Sequence, residues 1–232
     1  MEFDEWNPVY EAILQDFGYD RAGDERARDV LASLTDGFDC TVLSSVCDRT
    51  VAIAGAGPSL EDADALERAR EADVVFGAST AVDTLAADGI DVDCMVTDLD
   101  KNPETVRELT VRGVPVAVHA HGDNIPAVRT VVPDCPSEYV LPTTQAEPRD
   151  GVRNVGGFTD GDRAAFLADH LGAARLVFVG WDLDDPTVEP LKAQKLEWAE
   201  RLLYWLESRR EERFSFLDGR RDAIDTAVLP VE

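Results

Sequence analysis

From Thr50 onward the sequence repeats one unit: a short apolar run, a polar break and a helical stretch. The runs are "TVAIAG", "DVVFGAS", "VDCMVTD", "VPVAVHAH", "SEYVLPT" and "RLVFVGWD". Between most of them lie stretches that open as helices at Ser59, Thr80, Pro103, Asp123 and Thr159. Apolar strands alternating with helices predict an α/β fold, a mostly parallel Rossmann-like sheet covered by helices on both faces. Ahead of it, residues 1–48 read as an N-terminal helical segment. Trp6, Tyr10, Ile13, Leu14 and Phe17 recur there at helical spacing, and "AGDERARDVLASLTDG" follows with a glycine stop. The α/β domain then spans 49–232. Near its end a long helix is expected from Pro190 to about Arg210, turning Leu191, Trp198, Leu202, Trp205 and Leu206 inward. A last short strand, "RFSFL", is expected to pair antiparallel at an edge. "VLPTTQAEPRDGVRNVGG" is the one long irregular stretch, a place where function often resides.

In parallel sheets of this kind ligands bind beyond the carboxyl ends of the strands. Those ends carry Gly55, Gly57, Pro58 and Ser59; then Gly77, Ser79 and Thr80; then Asp98 and Asp100; then His119, His121, Asp123 and Asn124; and finally Gly180 and Asp182. Turn chemistry alone favours Gly, Ser, Asp and Asn, but it does not explain paired acids and paired histidines. "GAGPSL" opens a helix after the first strand, where backbone N–H groups and the helix dipole can hold phosphate; a tight turn alone is the alternative. Leu60 stands where a dinucleotide fingerprint needs its third glycine, and no GK[ST] follows for a P-loop. Asp98 and Asp100 make a hard-oxygen seat suited to Mg²⁺, unless both simply face water. His119 and His121 share a strand face and suit a polar substrate or phosphate better than a transition metal, because no third soft ligand is evident nearby. Asp123 and Asn124 would add metal or ring contacts, or cap the next helix.

Charge narrows the partners. The chain holds 47 acidic against 22 basic residues, net −25, which disfavours nucleic acid and anionic membranes. An anionic ligand then needs a local cationic pocket. Only three basic residues are lysines, Lys101, Lys192 and Lys195. Lys192 and Lys195 fall three apart in the first turns of the Pro190 helix, where cations oppose the helix dipole. They either neutralise a bound anion or pair with Asp184, Asp185 or Glu189. Cys40, Cys47, Cys94 and Cys135 lack metal spacing and read as reduced, buried thiols. No apolar run approaches a membrane span and the N-terminus lacks a signal-peptide pattern, so a cytoplasmic protein is expected.

Taken in order, "GAGPSL", "VTDLD", "HAHGDN", "GGFTDGDRAAFLA", "GWD" and the Lys192–Lys195 helix resemble the archaeal 6-hydroxymethyl-7,8-dihydropterin pyrophosphokinases, the MptE-like family. The resemblance runs from about Val51 to Leu206. It extends to thiamine pyrophosphokinases, whose Gly-Asp-x-Asp-Ser signature is echoed by Thr97-Asp98-Leu99-Asp100-Lys101, with Thr97 and Lys101 as departures. It implies Mg²⁺-dependent pyrophosphoryl transfer from ATP to the hydroxymethyl oxygen of a reduced pterin, releasing AMP, in tetrahydropterin or folate biosynthesis. On that reading Asp98 and Asp100 hold the metal, with Asp123 or Asp182 helping, and Lys192 and Lys195 neutralise the triphosphate. Gly55, Gly57, Pro58, Ser59, Ser79, Thr159 and Asp160 meet nucleotide or metal. His119, His121, Asp123, Asn124 and Asp182 meet substrate. ATP and the pterin are the partners, with a homo-oligomer allowed. "GxGPSL" also occurs in some bacterial sialyltransferases, so a nucleotide-sugar glycosyltransferase and a non-catalytic nucleotide-binding protein are the alternatives.

Acid-rich, lysine-poor and arginine-retaining composition also resembles that of proteins adapted to a salt-saturated cytoplasm. At such salt the Debye length falls to about 3 Å or less, and self-repulsion is screened. Lowering KCl should therefore lower the melting temperature, and a melting temperature that stays flat or rises as salt is removed would refute the adaptation.

Overall fold

The computed structural model describes residues 1–231. Six parallel strands form one sheet: β1 (Thr50–Ala54), β2 (Val74–Ala78), β3 (Cys94–Thr97), β4 (Val116–Ala120), β5 (Val140–Thr144) and β6 (Arg175–Val179). Their order is β5-β4-β3-β2-β1-β6. The chain steps outward from β1 to β5, then returns to lay β6 against the other side of β1. Right-handed crossovers put the helices of the outward run on one face and the returning helix on the other. The outward helices are α3 (Ala63–Glu71), α4 (Ala81–Ala87), α5 (Pro103–Val111) and α6 (Ile125–Val131). The returning helix, α7 (Asp160–His170), lies across β1, β2 and β3 and packs against α8 (Pro190–Arg210). The strands are mostly apolar because both faces are covered: β2, β4 and β5 are buried at every position.

The N-terminal helices belong to this body. α1 (Phe3–Phe17) buries Trp6, Tyr10 and Ile13 in the core shared with α7 and α8, where Trp6 stacks parallel to Trp205 at 6.4 Å. α2 (Arg21–Ala32) sends Ala27 and Leu31 into the opposite core, beside α6 and β5. The short link from Gly18 to Asp20 thus joins the sheet's two sides. Tyr19, Gly23 and Asp24 are carried to the carboxyl ends of the strands.

Four expectations are corrected. "RFSFL" forms no strand; Ser215–Leu217 is a single 3₁₀ turn. Side chains satisfy its backbone instead: the Phe214 N–H donates to Glu207 at 2.5 Å, and Arg221 donates to the Phe214 carbonyl at 2.9 Å. Phe214 and Phe216 then pack on Phe178 of β6 at 4.6 and 4.7 Å, so the alternating apolar pattern reflects aromatic packing. Leu191 is 55% exposed, because the first turn of α8 projects beyond the core. Ser59 and Asp123 do not open α-helices: Pro58–Glu61 is 3₁₀, and α6 begins at Ile125 after Asn124. All four cysteines are free, but Cys47 is exposed while Cys94 and Cys135 are buried. No described helix is long and apolar enough to cross a membrane.

Trp6 is 1% exposed, and its indole N–H donates to the Gln145 carbonyl at 2.9 Å. Trp6→Ala should therefore destabilise the protein by about 3–5 kcal/mol. Unfolding should stay a single transition by tryptophan fluorescence and circular dichroism. An early, separate melting of the N-terminal helices would show that they are an independent unit.

Candidate active site

The strand order reverses between β1 and β6, and there the two chain ends come close enough to exclude side chains. A Cβ on Gly55 would stand 2.6 Å from the Gly180 carbonyl oxygen, and one on Gly180 would stand 2.4 Å from that of Gly55. A Cβ on Gly57 would meet Asp182 Oδ2 at 2.3 Å. That carboxylate accepts both the Ser59 N–H (2.9 Å) and the Ser59 hydroxyl (2.8 Å), fastening the glycine loop to the end of β6. A cavity of about 460 Å³ opens above this junction.

At the end of β3, Leu99 adopts the left-handed conformation (φ 68°) yet is only 4% exposed. Its N–H is held by Thr97 Oγ1 at 3.0 Å, and the Asp100 N–H is held by Asp98 Oδ1 at 3.1 Å. Left-handed backbone costs a non-glycine residue roughly 1–2 kcal/mol, about what burying a leucine returns. The anchored leucine leaves Asp98 and Asp100 on the cavity side. Burial works against ionising Asp98, but His121 and Asp100 outweigh it and hold its carboxyl below the usual range. The His121 ring nitrogen lies 3.5 Å from Asp98. Asp100 is pushed the other way by burial and by the Asp98 charge.

The start of α7 brings a third carboxylate. Thr159 and Asp162 form a reciprocal cap, with Asp162 fully buried. Asp160 projects into the cavity and pairs with Arg163 at 3.5 Å. Burial, reinforced by Asp98 and Asp100, pushes its carboxyl up to about 8. Facing these acids are all three lysines of the chain: Lys101, Lys192 and Lys195 line the same cavity. Among the described residues none of them makes an ion pair; Asp184 is taken by Arg220. Burial lowers Lys192, and repulsion from Lys101 and Lys195 adds to it.

Of the residues singled out in the sequence, Gly55, Gly57, Pro58, Ser79, Asp98 and Asp100 line the cavity. So do His119, His121, Asp123, Thr159, Asp160, Asp182, Lys192 and Lys195. Ser59 and Asn124 stand behind the wall. Asn124 clips two strand ends together, donating to the carbonyls of Asp98 and His119 at 2.7 Å each. Asp123 is exposed at the rim beside Tyr19, and its N–H meets the ring of His121, the residue that neighbours Asp98. The described residues contain no cluster of three metal-binding side chains. Burial and the Asp98 charge raise the proton affinity of Asp100 and Asp160, which leaves a donor set short of a cation. Two of them on one turn fit an open seat for Mg²⁺, which keeps waters and takes ligand phosphate oxygens. Sequence reasoning missed Arg163, Gln145, Asp24 and Tyr19, which also line the cavity, and gave Lys101 no role.

Asp160 gives the site a pH signature. A carboxyl raised to about 8 contributes stability that is intact below its unfolded value near 3.8 and is lost as pH rises through about 8. Asp160→Asn removes that loss. Its melting temperature should gain on the parent between pH 5 and pH 8.5, measured in high KCl without ligands. An equal difference at both pH values would show that Asp160 is not held protonated by its neighbours.

The family model for 6-hydroxymethylpterin diphosphokinase MptE-like proteins matches residues 29–187. The 6-hydroxymethyl-7,8-dihydropterin pyrophosphokinase of Methanothermobacter thermautotrophicus is 38% identical over 226 residues, spanning 89% of this chain and 96% of its own. That of Pyrococcus furiosus is 38% identical over 229 residues, 90% of this chain and 95% of its own. That of Methanocaldococcus jannaschii is 30% identical over 239 residues, 92% and 99%. With the match reaching from α2 to the loop after β6 and the relatives aligning over nearly their whole length, the chain belongs to the MptE-like 6-hydroxymethylpterin diphosphokinase family.

Proposed function

We propose that this protein transfers the terminal diphosphoryl group of ATP to the hydroxymethyl oxygen of 6-hydroxymethyl-7,8-dihydropterin. One observation carries the reading: in a chain of net charge −25, every lysine lines one cavity, unpaired among the described residues and opposite three carboxylates. Such a patch is suited to a polyphosphate bound with a divalent cation. Asp98 and Asp100 would hold Mg²⁺, which when bound offsets the charge on the phosphate oxygens.

In the transfer, the hydroxymethyl oxygen attacks the β-phosphorus. The bond from that phosphorus to the α,β-bridging oxygen breaks, AMP departs, and the hydroxyl proton is lost. Transfer of this kind is mainly positioning and charge neutralisation. Lys101, Lys192 and Lys195 would take the phosphate charge, and the glycine loop, fixed by Asp182, would let backbone N–H groups approach the nucleotide. Asp160, whose raised proton affinity keeps it protonated near neutral pH, is suited to donate a hydrogen bond to a phosphate oxygen, and the hydroxyl proton passes to solvent. A sugar transfer at the same loop would consume no ATP and form no AMP.

The test is product analysis with ATP, Mg²⁺ and the dihydropterin. The parent should form AMP in step with the pterin diphosphate. Lys192→Ala and Lys195→Ala should leave the ligand-free melting temperature almost unchanged, since no ion pair is lost. They should slow transfer or weaken ATP binding about tenfold or more, at roughly 1.5–3 kcal/mol for each charge-assisted bond. AMP should remain the nucleotide product. ADP formation by the parent would end the diphosphokinase reading, and variants that turn over like the parent would remove the lysines from it.

A further inference from the structure

Part of the cavity is lined by residues that the phosphate chemistry does not use. Arg163 stands between the two regions, within electrostatic range of Asp160 and Asp98 on one side and of Asp24 and His119 on the other. Beyond it are His119, Gln145, Asp24 and Tyr19. Asp24 comes from α2 and is fixed by three donors: the Tyr10 hydroxyl (2.7 Å), the Gln145 amide (2.7 Å) and the Gly122 N–H (2.8 Å). It is 4% exposed, as is Gln145. The two residues form a rigid polar floor.

Two buried polar atoms in this region have no protein partner: His119 Nε2 and Arg163 Nε. Their roles follow from neighbouring bonds. The Thr143 hydroxyl donates to the Val118 carbonyl at 3.0 Å, so toward His119 Nδ1, 3.3 Å away, its oxygen can only accept. The Thr143–Val118 bond thus favours the tautomer with the proton on Nδ1, which presents Nε2 as an acceptor with the Gln145 side chain close by. The ring is 1% exposed with the Arg163 cation nearby, and both burial and that charge keep it neutral. Arg163 Nε, by contrast, is a donor. An unpaired acceptor thus lies near an unpaired donor, and leaving either unmatched is unfavourable. A ligand that satisfies both offers an N–H beside a carbonyl or ring nitrogen. The lactam and amidine edge of a pterin has that pattern; a nucleotide's phosphates lack it, and its adenine edge, which shares it, is tested by the ATP analogue below.

Resting on the diphosphokinase reading, we propose that His119 and Arg163 read the donor–acceptor edge of the pterin ring. Gln145 and Asp24 lie beneath it, and Tyr19 of the N-terminal helical link supplies a flat wall. The N-terminal helices thereby form part of the substrate site. Tyr19 and Phe158 both line the cavity, on either side of Phe17, whose ring lies 5.3 Å from Tyr19 and 5.1 Å from Phe158. A planar heterocycle is well matched to such a wall.

The experiment measures binding of two probes separately: 6-hydroxymethyl-7,8-dihydropterin, and the non-transferable α,β-methylene analogue of ATP with Mg²⁺. His119→Leu should weaken pterin binding about tenfold or more, the effect of an N–H left without its acceptor. It should leave the ATP analogue bound as in the parent. His119→Gln, which restores an acceptor, should recover part of the loss. Tyr19→Leu, a partly exposed position whose change cannot unfold the core, should weaken the pterin several-fold and spare the nucleotide. Parent-like pterin affinity in both His119→Leu and Tyr19→Leu would overturn the assignment, as would equal loss of both ligands. A parent that binds the ATP analogue but neither binds the pterin nor forms AMP would instead overturn the diphosphokinase reading, a result distinct from normal parental turnover with insensitive variants.

Discussion

The close approach of Gly55 to Gly180 is the contact on which the site depends. Adjacent parallel strands diverge at their ends when side chains intervene; here neither residue has one, and a Cβ on either would collide with the other's carbonyl. The contact brings the "GAGPS" turn against "GWD", so that Asp182 can hold Ser59 by backbone and hydroxyl together. Trp181 is turned back to donate to the Ile53 carbonyl at 3.1 Å, and it packs under Gly161, where a Cβ would lie 2.8 Å from its ring. The first turn of α7, with Thr159 and Asp160, is thereby set over the same crevice. Three loops far apart in sequence take their positions from one pair of glycines.

Charge is divided between two kinds of cation. Every ion pair among the described residues uses arginine, apart from His121 with Asp98. The planar guanidinium fork suits carboxylates and holds such pairs together, as where Arg221 meets Glu207 and Asp218, or Arg210 meets Asp169 and Glu212. Lysine is a compact point charge that makes poorer fixed pairs but follows a polyphosphate readily. In a chain with so much acid, any surface lysine would be neutralised by the nearest carboxylate. The three that remain are kept in a cavity, repelling one another and half-satisfied by Asp100 and Asp160. An anion is the partner that such an arrangement lacks.

The parallel sheet and the polar strand ends were legible because both are local. Six apolar runs need burial on two faces, and a strand end is read from its own few residues. The phosphate side was legible for the same reason, since Asp98, Asp100, Lys192 and Lys195 stand out against the composition around them. The other side of the cavity was not. Asp24 meets Gly122 and Gln145 across separations of 98 and 121 residues, and in an acid-rich helix it looks like any solvated carboxylate. Arg163 lies in the "GGFTDGDRAAFLA" stretch, where it reads as an ordinary helix arginine, and only the packing of α7 across the sheet brings it to the cavity. "RFSFL" failed in the opposite sense: its local pattern was strand-like, but Glu207 and Arg221 had already claimed its backbone groups.

A buried strand can end on two acids because Leu99 stands between them. Without it, mutual repulsion and the pull of water would draw "DLD" outward into a solvated turn. With its side chain in the core and its backbone held in the left-handed region by Thr97, the turn cannot relax that way. Asp98 and Asp100 stay close enough that one ionises at the other's expense, and Asp160 is drawn into the same competition. A cation bound by Asp98 and Asp100 would relieve that pair, and with it the charge that Asp160 feels. The strain is thus local and held by hydrophobic burial, and what it maintains is a site more complementary to a charged ligand than to water.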